Sequence, residues 1–201
     1  MSLWRLSDPL VLASSSGIRR AVLEAAGIPV EVRPAELDER ALEARAAGAS
    51  ASEAALVLAH AKASAVAARM PGRIILGADQ TLALETQRFS KPADRASARQ
   101  QLLTLRGRTH DLNSAFAVVR DQDLLHGGAE VARLTMRAFS DEFLERYLDA
   151  AADAIMASVG GYQLERVGIH LFDKIEGDHF TILGLPLLPL LAFFRRQGFV
   201  A

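Results

Sequence analysis

The stretch Arg73–Glu85, RIILGADQTLALE, constrains the chain more than any other. Ile74, Ile75 and Leu76 form a short apolar run, followed by Gly77-Ala78, then Asp79 and Gln80, then apolar residues again. A run of this kind reads as a buried strand. The small Gly-Ala pair lets other groups approach the backbone closely. Asp79 is then a lone carboxylate at or inside the end of a central strand. Burying an unpaired carboxylate is expensive, so a lysine, an arginine, a metal ion or several N–H donors must lie beside it. The competing reading is a strand-end Asp that caps a neighbouring helix or turn, and the stretch alone gives the two equal weight.

The 201 residues suit one domain, or one domain with two lobes, and can bury a full core. With 23 basic and 24 acidic residues and a formal net charge of −1, nothing points to a nucleic-acid partner. There is no cysteine, which excludes disulfides, zinc–thiolate sites and cysteine nucleophiles. Oxygen and imidazole ligands favour Mg²⁺ or Mn²⁺ for any metal. The leading MSLWRLSDPLVLASSS lacks a long apolar run behind a basic region, so no secretion signal is expected. The longest apolar segment, Thr181–Phe194, is too short to span a bilayer and contains Pro186 and Pro189. The expectation is a cytoplasmic protein with no membrane partner.

Strand and helix signals alternate along the chain. Pro9–Ala13 reads as a buried strand and Ser14-Ser15-Ser16-Gly17 as a loop, with a helix over Ile18–Ala26 stopped by Gly27. Val30–Arg33 alternates like an edge strand. Ala41–Arg69 is alanine-rich and helical, with Ser50 or Ser52 available as N-cap; no capping box is expected at Ser52. After the Asp79 strand, Phe89-Ser90-Lys91-Pro92 reads as a loop and Asp94–Leu105 as a helix. Thr109–Arg120 is a strand, Gln122-Asp123 a hairpin turn and Glu130–Ala138 the return strand. Ser140–Ala150 is a helix capped by Ser140, Val167–Phe172 is strand-like, and Pro186 opens the final helix, Leu187–Gln197. The pattern is that of an α/β protein with added antiparallel pairing.

Four segments carry charge where an α/β fold gathers ligands, at strand ends. In Ser14–Arg20, small residues at a helix N-terminus leave backbone N–H groups for phosphate, and Arg19 and Arg20 add fixed positive charge. The plain alternative is a serine-rich turn with two solvated arginines. Glu36–Glu39 offers carboxylates to a metal shared with Asp79, or caps the helix that follows. Lys62 sits among alanines near His60; a lone lysine on a helix is usually solvated. Lys91-Pro92 is either a phosphate contact or a surface loop. Together these residues suit a polyphosphate bound through a divalent cation, with a carboxylate orienting or deprotonating the attacking water.

At these positions the chain resembles the Maf family of septum-formation-related nucleoside triphosphate pyrophosphatases. The matching pieces are Leu12-Ala13-Ser14-Ser15-Ser16-Gly17-Ile18-Arg19-Arg20, Asp38-Glu39, Ala59-His60-Ala61-Lys62-Ala63, Gly77-Ala78-Asp79, Lys91-Pro92, Leu105-Arg106-Gly107-Arg108-Thr109-His110 with Ser114, and Gly184-Leu185-Pro186. The resemblance implies a mixed central twisted sheet flanked by helices, in one domain with two lobes and a cleft. It also implies hydrolysis of a nucleoside triphosphate between the α and β phosphates, Mg²⁺ or Mn²⁺ as cofactor, and a homodimer. Asp79 falls on the family's proton-acceptor position, and Glu39 joins it at the metal. Ser14, Ser16, Arg19, Arg20, Lys62 and Lys91 fall on the substrate-binding positions.

Three further positions bear on the base, and here they are Ile18, Gln80 and Glu165. The resemblance implies Arg, Thr and Gln there for dTTP/UTP enzymes, and Trp, Gln and Glu for the 7-methyl-GTP type. The chain matches the second type at Gln80 and Glu165. A carboxylate accepts from the N1–H and amino group of a guanine edge, whereas Ile18 removes a stacking surface for a cationic methylated purine. Gly17, Ser158 and Arg166 are further departures from the family pattern. The rival expectations are a dTTP/UTP preference and a non-catalytic nucleotide-binding division regulator.

Overall fold

The structure, a computed structural model, describes residues 3–38, 41–42, 46 and 48–201. It is a mixed α/β fold around one seven-stranded sheet of order β2-β1-β3-β5-β6-β7, with β4 paired to β3. The strands are β1 (Leu10–Leu12), β2 (Val30–Val32), β3 (Ile74–Leu84), β4 (Gln87–Phe89), β5 (Thr109–Arg120), β6 (Asp123–Met136) and β7 (Phe172–Glu176). β1 lies parallel to β2 on one side and parallel to β3 on the other. Parallel neighbours need crossovers. Helix α1 (Gly17–Ala25) lies between β1 and β2 in the chain, and α2 (Ala51–Ala67) between β2 and β3. As expected, β2 lies at the edge of the sheet.

The residues group into two compact units. The first comprises residues 1–80, 114–130 and 179–201, the second 81–113 and 131–178. In the first, the core joins Leu10 and Leu12 of β1, Leu23 of α1, Leu76 of β3 and Phe116 of β5 to the last helix. That helix, α7 (Leu187–Arg196), presents Phe193 and Phe194 to Trp4 and Phe199. Trp4 and Phe194 meet edge to face at 5.7 Å, a geometry that adds to simple area burial. In the second unit, α3 (Arg95–Leu105) packs on α4 (Asp141–Ala151), and Leu102, Leu105, Leu144 and Leu148 are fully buried. Short helices α5 (Ala154–Ala157) and α6 (His179–Ile182) complete the set, with 3₁₀ turns at Val159–Gly161 and Val167–Leu171.

Several boundaries differ from expectation, each for a local reason. Asp79 is not at a strand end: β3 runs 11 residues and holds Asp79 and Gln80 in its middle. The extension exists because Leu82, Ala83 and Leu84 pair antiparallel with β4. The chain reverses through Glu85 at φ 55°, a left-handed position without the usual Gly or Asn signal. Phe89 therefore ends a strand rather than opening a loop. β6 begins at Asp123, not Glu130, because Gly127 and Gly128 continue it; a Cβ on Gly128 would lie 3.2 Å from the Phe116 ring. The hairpin turn is Asp121-Gln122, and the Asp121 carboxylate accepts from the Gly72 N–H at 2.7 Å.

Residues 167–171 form a 3₁₀ turn, and the strand follows at Phe172–Glu176. Gly168 packs there directly on the Gln163 backbone, which an extended segment would not allow. Helix α2 opens with a full capping box, Ser50 with Glu53; counted from Ser52 the acidic partner is missing, and counted from Ser50 it is present. Among the described residues, no helix is long and apolar enough to cross a membrane.

Candidate active site

The first unit places Lys62 and Asp79 together. Lys62 Nζ donates to Asp79 Oδ1 at 2.7 Å, and both residues are 8% exposed. Their meeting depends on small residues. The buried face of α2 is mostly alanine around Lys62, so the helix can lie close to β3. At the contact, a Cβ on Gly77 would collide with the Ala59 carbonyl and lie 2.8 Å from the Ala63 nitrogen. Glycine is thus required where the strand touches the helix. The carboxylate that the sequence demanded a partner for has a lysine.

Arg19 is bonded to the strand one residue before Asp79. Its Nε donates to the Gly184 carbonyl at 2.8 Å, and Nη1 to the Ala78 carbonyl at 2.9 Å and to Ser14 Oγ at 3.1 Å. Arg19 is itself 9% exposed. The planar fork of the guanidinium matches two fixed carbonyls, so the residue beside Asp79 in β3 and the turn before α7 are tied to one cation. Gly184, at φ 90°, packs flat on that guanidinium with its Cβ position 3.3 Å from Nη2. Ser16 caps α1 by accepting from the Arg19 N–H, and Ser14 Oγ accepts from the Ser16 N–H at 3.3 Å.

Gln80 is anchored too. Its Nε2 donates to Ser114 Oγ at 3.0 Å, to the Ile182 carbonyl at 3.0 Å and to the Thr181 carbonyl at 3.3 Å. Ser114 Oγ in turn donates to the Thr181 carbonyl at 2.7 Å. Residues 181–184 therefore supply acceptors to both Arg19 and Gln80. Ser114 and Gly184, named above only as motif pieces, thus hold Gln80 and Arg19 in place; their position in those motifs is the signal the sequence carries for this role.

The remaining candidates have other surroundings. Arg20 pairs with Glu24 at 2.7 Å on the exposed face of α1. Ile18 is half-buried, also on α1. Asp38 Oδ1 accepts from the Ala41 N–H at 3.1 Å, and Glu36 reaches Arg69 at 3.4 Å, so both serve local structure. Glu39 lies outside the described residues. Lys91 and Glu165 belong to the second unit, and both are exposed.

That second unit also holds a buried polar cluster. His110 Nε2 and the Tyr162 hydroxyl are 2.7 Å apart, and the Tyr147 hydroxyl donates to the Gly161 carbonyl at 3.0 Å. Burial lowers the His110 pKa to about 4 and raises those of both tyrosines, so all three are neutral near pH 7. His110 Nδ1 is buried with no hydrogen-bond partner among the described residues.

Among the described residues, no group of three or more His, Asp and Glu converges to cage a metal. Mg²⁺ ordinarily takes one or two carboxylates and fills its octahedron with phosphate oxygens and water. Asp79 fits that lesser requirement.

A sheet with α/β crossovers, a buried pair of Lys62 on α2 with Asp79 on β3, and an arginine at a serine-rich helix start define the chain as an α/β protein. The sequence profile of the Maf-like protein family matches residues 9–197, and the chain belongs to that family. It is 54% identical over 197 residues to the nucleoside triphosphate pyrophosphatase of Nitrobacter winogradskyi, covering 98% of each chain. It is 51% identical to the 7-methyl-GTP pyrophosphatase of Mesorhizobium japonicum, covering 96% of this chain and 98% of that one. A solved nucleoside-triphosphatase/dITP/XTP pyrophosphatase from Mycobacterium abscessus aligns over 95% of each chain at a TM-score of 0.45 and 15% identity.

Proposed function

We propose that this chain is a nucleoside triphosphate pyrophosphatase that cleaves between the α and β phosphates, releasing a nucleoside monophosphate and pyrophosphate. The observation that carries it is the buried ion pair between Lys62 of α2 and Asp79 of β3, in a chain whose relatives bear that activity in their names. Water attacks phosphorus, the bridging P–O bond breaks, and pyrophosphate leaves. Asp79 accepts a hydrogen bond from that water and then its proton. Lys62 is a point charge with three donors, so it can serve a phosphate oxygen as well as Asp79. Arg19 is pre-organised by three bonds, and its charge favours the triphosphate at the start of α1. Lys91 adds a further phosphate contact.

Asp79 and Glu39 are the residues proposed to hold a divalent cation, Mg²⁺ or Mn²⁺. When bound, that ion neutralises charge on the phosphate oxygens. Glu39→Gln should raise the metal concentration needed for half-maximal activity.

The proposed substrate is a guanine-type nucleotide resembling 7-methyl-GTP. Gln80 spends its nitrogen on three oxygens, which leaves its carbonyl oxygen, an acceptor, as the other end of the amide. Glu165 is also an acceptor. A carboxylate acceptor at Glu165 suits the N1–H and amino donors of guanine, and a relative named as a 7-methyl-GTP pyrophosphatase supports the same choice. The test is pyrophosphate release from dTTP, UTP, CTP, GTP and 7-methyl-GTP with Mn²⁺, comparing wild type with Asp79→Asn. Turnover of the guanine nucleotides that Asp79→Asn loses supports the proposal. Undiminished release by Asp79→Asn, or thermal stabilisation by nucleotide without any turnover, would overturn it.

A further inference from the structure

The segment carrying Glu165 is built with unusual closeness for an exposed loop. Gly160 and Gly161 both adopt left-handed φ, at 78° and 74°. A Cβ on Gly160 would lie 2.6 Å from Leu82 and 2.8 Å from the Tyr162 ring, and one on Gly161 would touch Ala98 at 3.5 Å. The Tyr147 hydroxyl holds the Gly161 carbonyl from α4. Beyond Glu165, Gly168 rests on the Gln163 backbone, and the Arg166 N–H donates to the Gln163 carbonyl at 3.2 Å. The loop is thus pinned on both sides of Glu165, yet Glu165 itself is exposed.

The central pin is the Tyr162 side chain. It stands edge-on to Phe172 at 4.9 Å between ring centroids, and its hydroxyl meets His110 Nε2 at 2.7 Å. His110 is 1% exposed and packs on both rings. At this burial the His110 ring presents almost no surface to solvent. A polar pair buried at this depth, with one imidazole nitrogen left unpartnered, costs stability. Its remaining use is to give the loop one conformation.

We infer that His110 and Tyr162 are positioning residues for base selection, holding Glu165 through the Gly160–Gly168 loop. This rests on the proposal that Glu165 reads the base. His110 stays neutral across the assay range, so the effect is one of geometry and does not titrate near pH 7.

The experiment uses the full chain and measures kcat and KM for 7-methyl-GTP, GTP and dTTP in wild type, Glu165→Gln, Tyr162→Phe and the double variant, with thermal unfolding of each. Tyr162→Phe keeps the ring and removes only the bond to His110. Its expected effect is a rise of about fivefold in KM for the guanine nucleotides, the size of one hydrogen bond's net contribution. kcat should be preserved and dTTP unaffected. The double variant should show no loss beyond Glu165→Gln alone, because both act through one carboxylate. A uniform loss of stability would not produce that split between substrates. If Tyr162→Phe is not recovered folded, His110→Gln carries the same comparison. Should Glu165→Gln shift the preference while Tyr162→Phe leaves it unmoved, the positioning role is wrong and base reading by Glu165 stands. Should Glu165→Gln itself leave the preference unmoved, base reading and positioning fall together.

Discussion

Lys62 Nζ lies 2.7 Å from Asp79 Oδ1, and each side chain is about nine-tenths buried. Such a pair is weak as a source of stability but costly to break on one side, because the survivor is left charged and poorly solvated. Asp79→Asn and Lys62→Met should each lower the unfolding free energy by about 3 kcal/mol. The double variant should recover much of that loss, read as a favourable coupling in a denaturant-based double-mutant cycle. All three should be inactive. Additive losses would show that the two groups do not interact.

Gly77 sets the distance at which α2 meets β3. Gly77→Ala forces a methyl against the Ala59 carbonyl and the Ala63 nitrogen, both backbone, so neither neighbour can swing aside. The expected loss is at least about 2 kcal/mol, seen as a large drop in melting temperature. Activity should fall with it as Lys62 and Asp79 are pushed apart. Gly17→Ala is the control: its Cβ meets nothing within 4 Å, and it should leave melting unchanged or slightly higher.

Gln80 works as a donor toward the carbonyls of Thr181 and Ile182. Gln80→Met should cost about 1–3 kcal/mol by leaving acceptors unmet. Gln80→Glu should be worse at pH 8, where a carboxylate would face two carbonyl oxygens. The gap between the two variants should close on acidification, because a protonated Glu regains a donor. Unfolding of both variants at pH 8 and pH 5 measures this directly.

His110 gives the second unit a defined acid sensitivity. Its folded pKa is about 4 against an ordinary 6.5. Between these values the unfolded chain takes up a proton that the folded chain refuses, so stability is full above pH 6.5 and is lost as pH falls toward 4. The total is about 3 kcal/mol. His110→Gln, which cannot titrate, should flatten the stability–pH curve across that window while leaving other acid losses in place.

The sequence made the fold class legible because its strongest signals were local: the apolar run at Ile74, the Ser140 cap, the stop at Gly27. It also marked Asp79 as a carboxylate needing a partner, and Lys62 as one of a few candidates. The particular partnership was not legible, because it depends on Gly77 touching α2, a contact between residues 59 and 77 that no periodicity encodes. The same holds for Arg19, whose acceptor on Gly184 is 165 positions away. Asp79 was misplaced to a strand end because the β4 hairpin turns through Glu85, a residue type that ordinarily avoids positive φ. His110 was quoted within a motif, but only three-dimensional packing pairs it with Tyr162.

The two units interleave along the chain, the first drawing on residues 1–80, 114–130 and 179–201. On the ribosome, where synthesis runs at about 5–20 residues per second, every residue of the second unit is made before the first unit's last segment. That segment carries Thr181, Ile182 and Gly184, the acceptors for Gln80 and Arg19. A nascent chain stopped after residue 178 would hold Lys62 and Asp79, with Arg19 offered Ser14 and the Ala78 carbonyl but not the Gly184 carbonyl that its Nε takes. Arg19 therefore gains its Gly184 acceptor only after the whole second unit has been synthesised, so the set of bonds that fixes its guanidinium is completed by a segment that emerges later than every strand of the sheet.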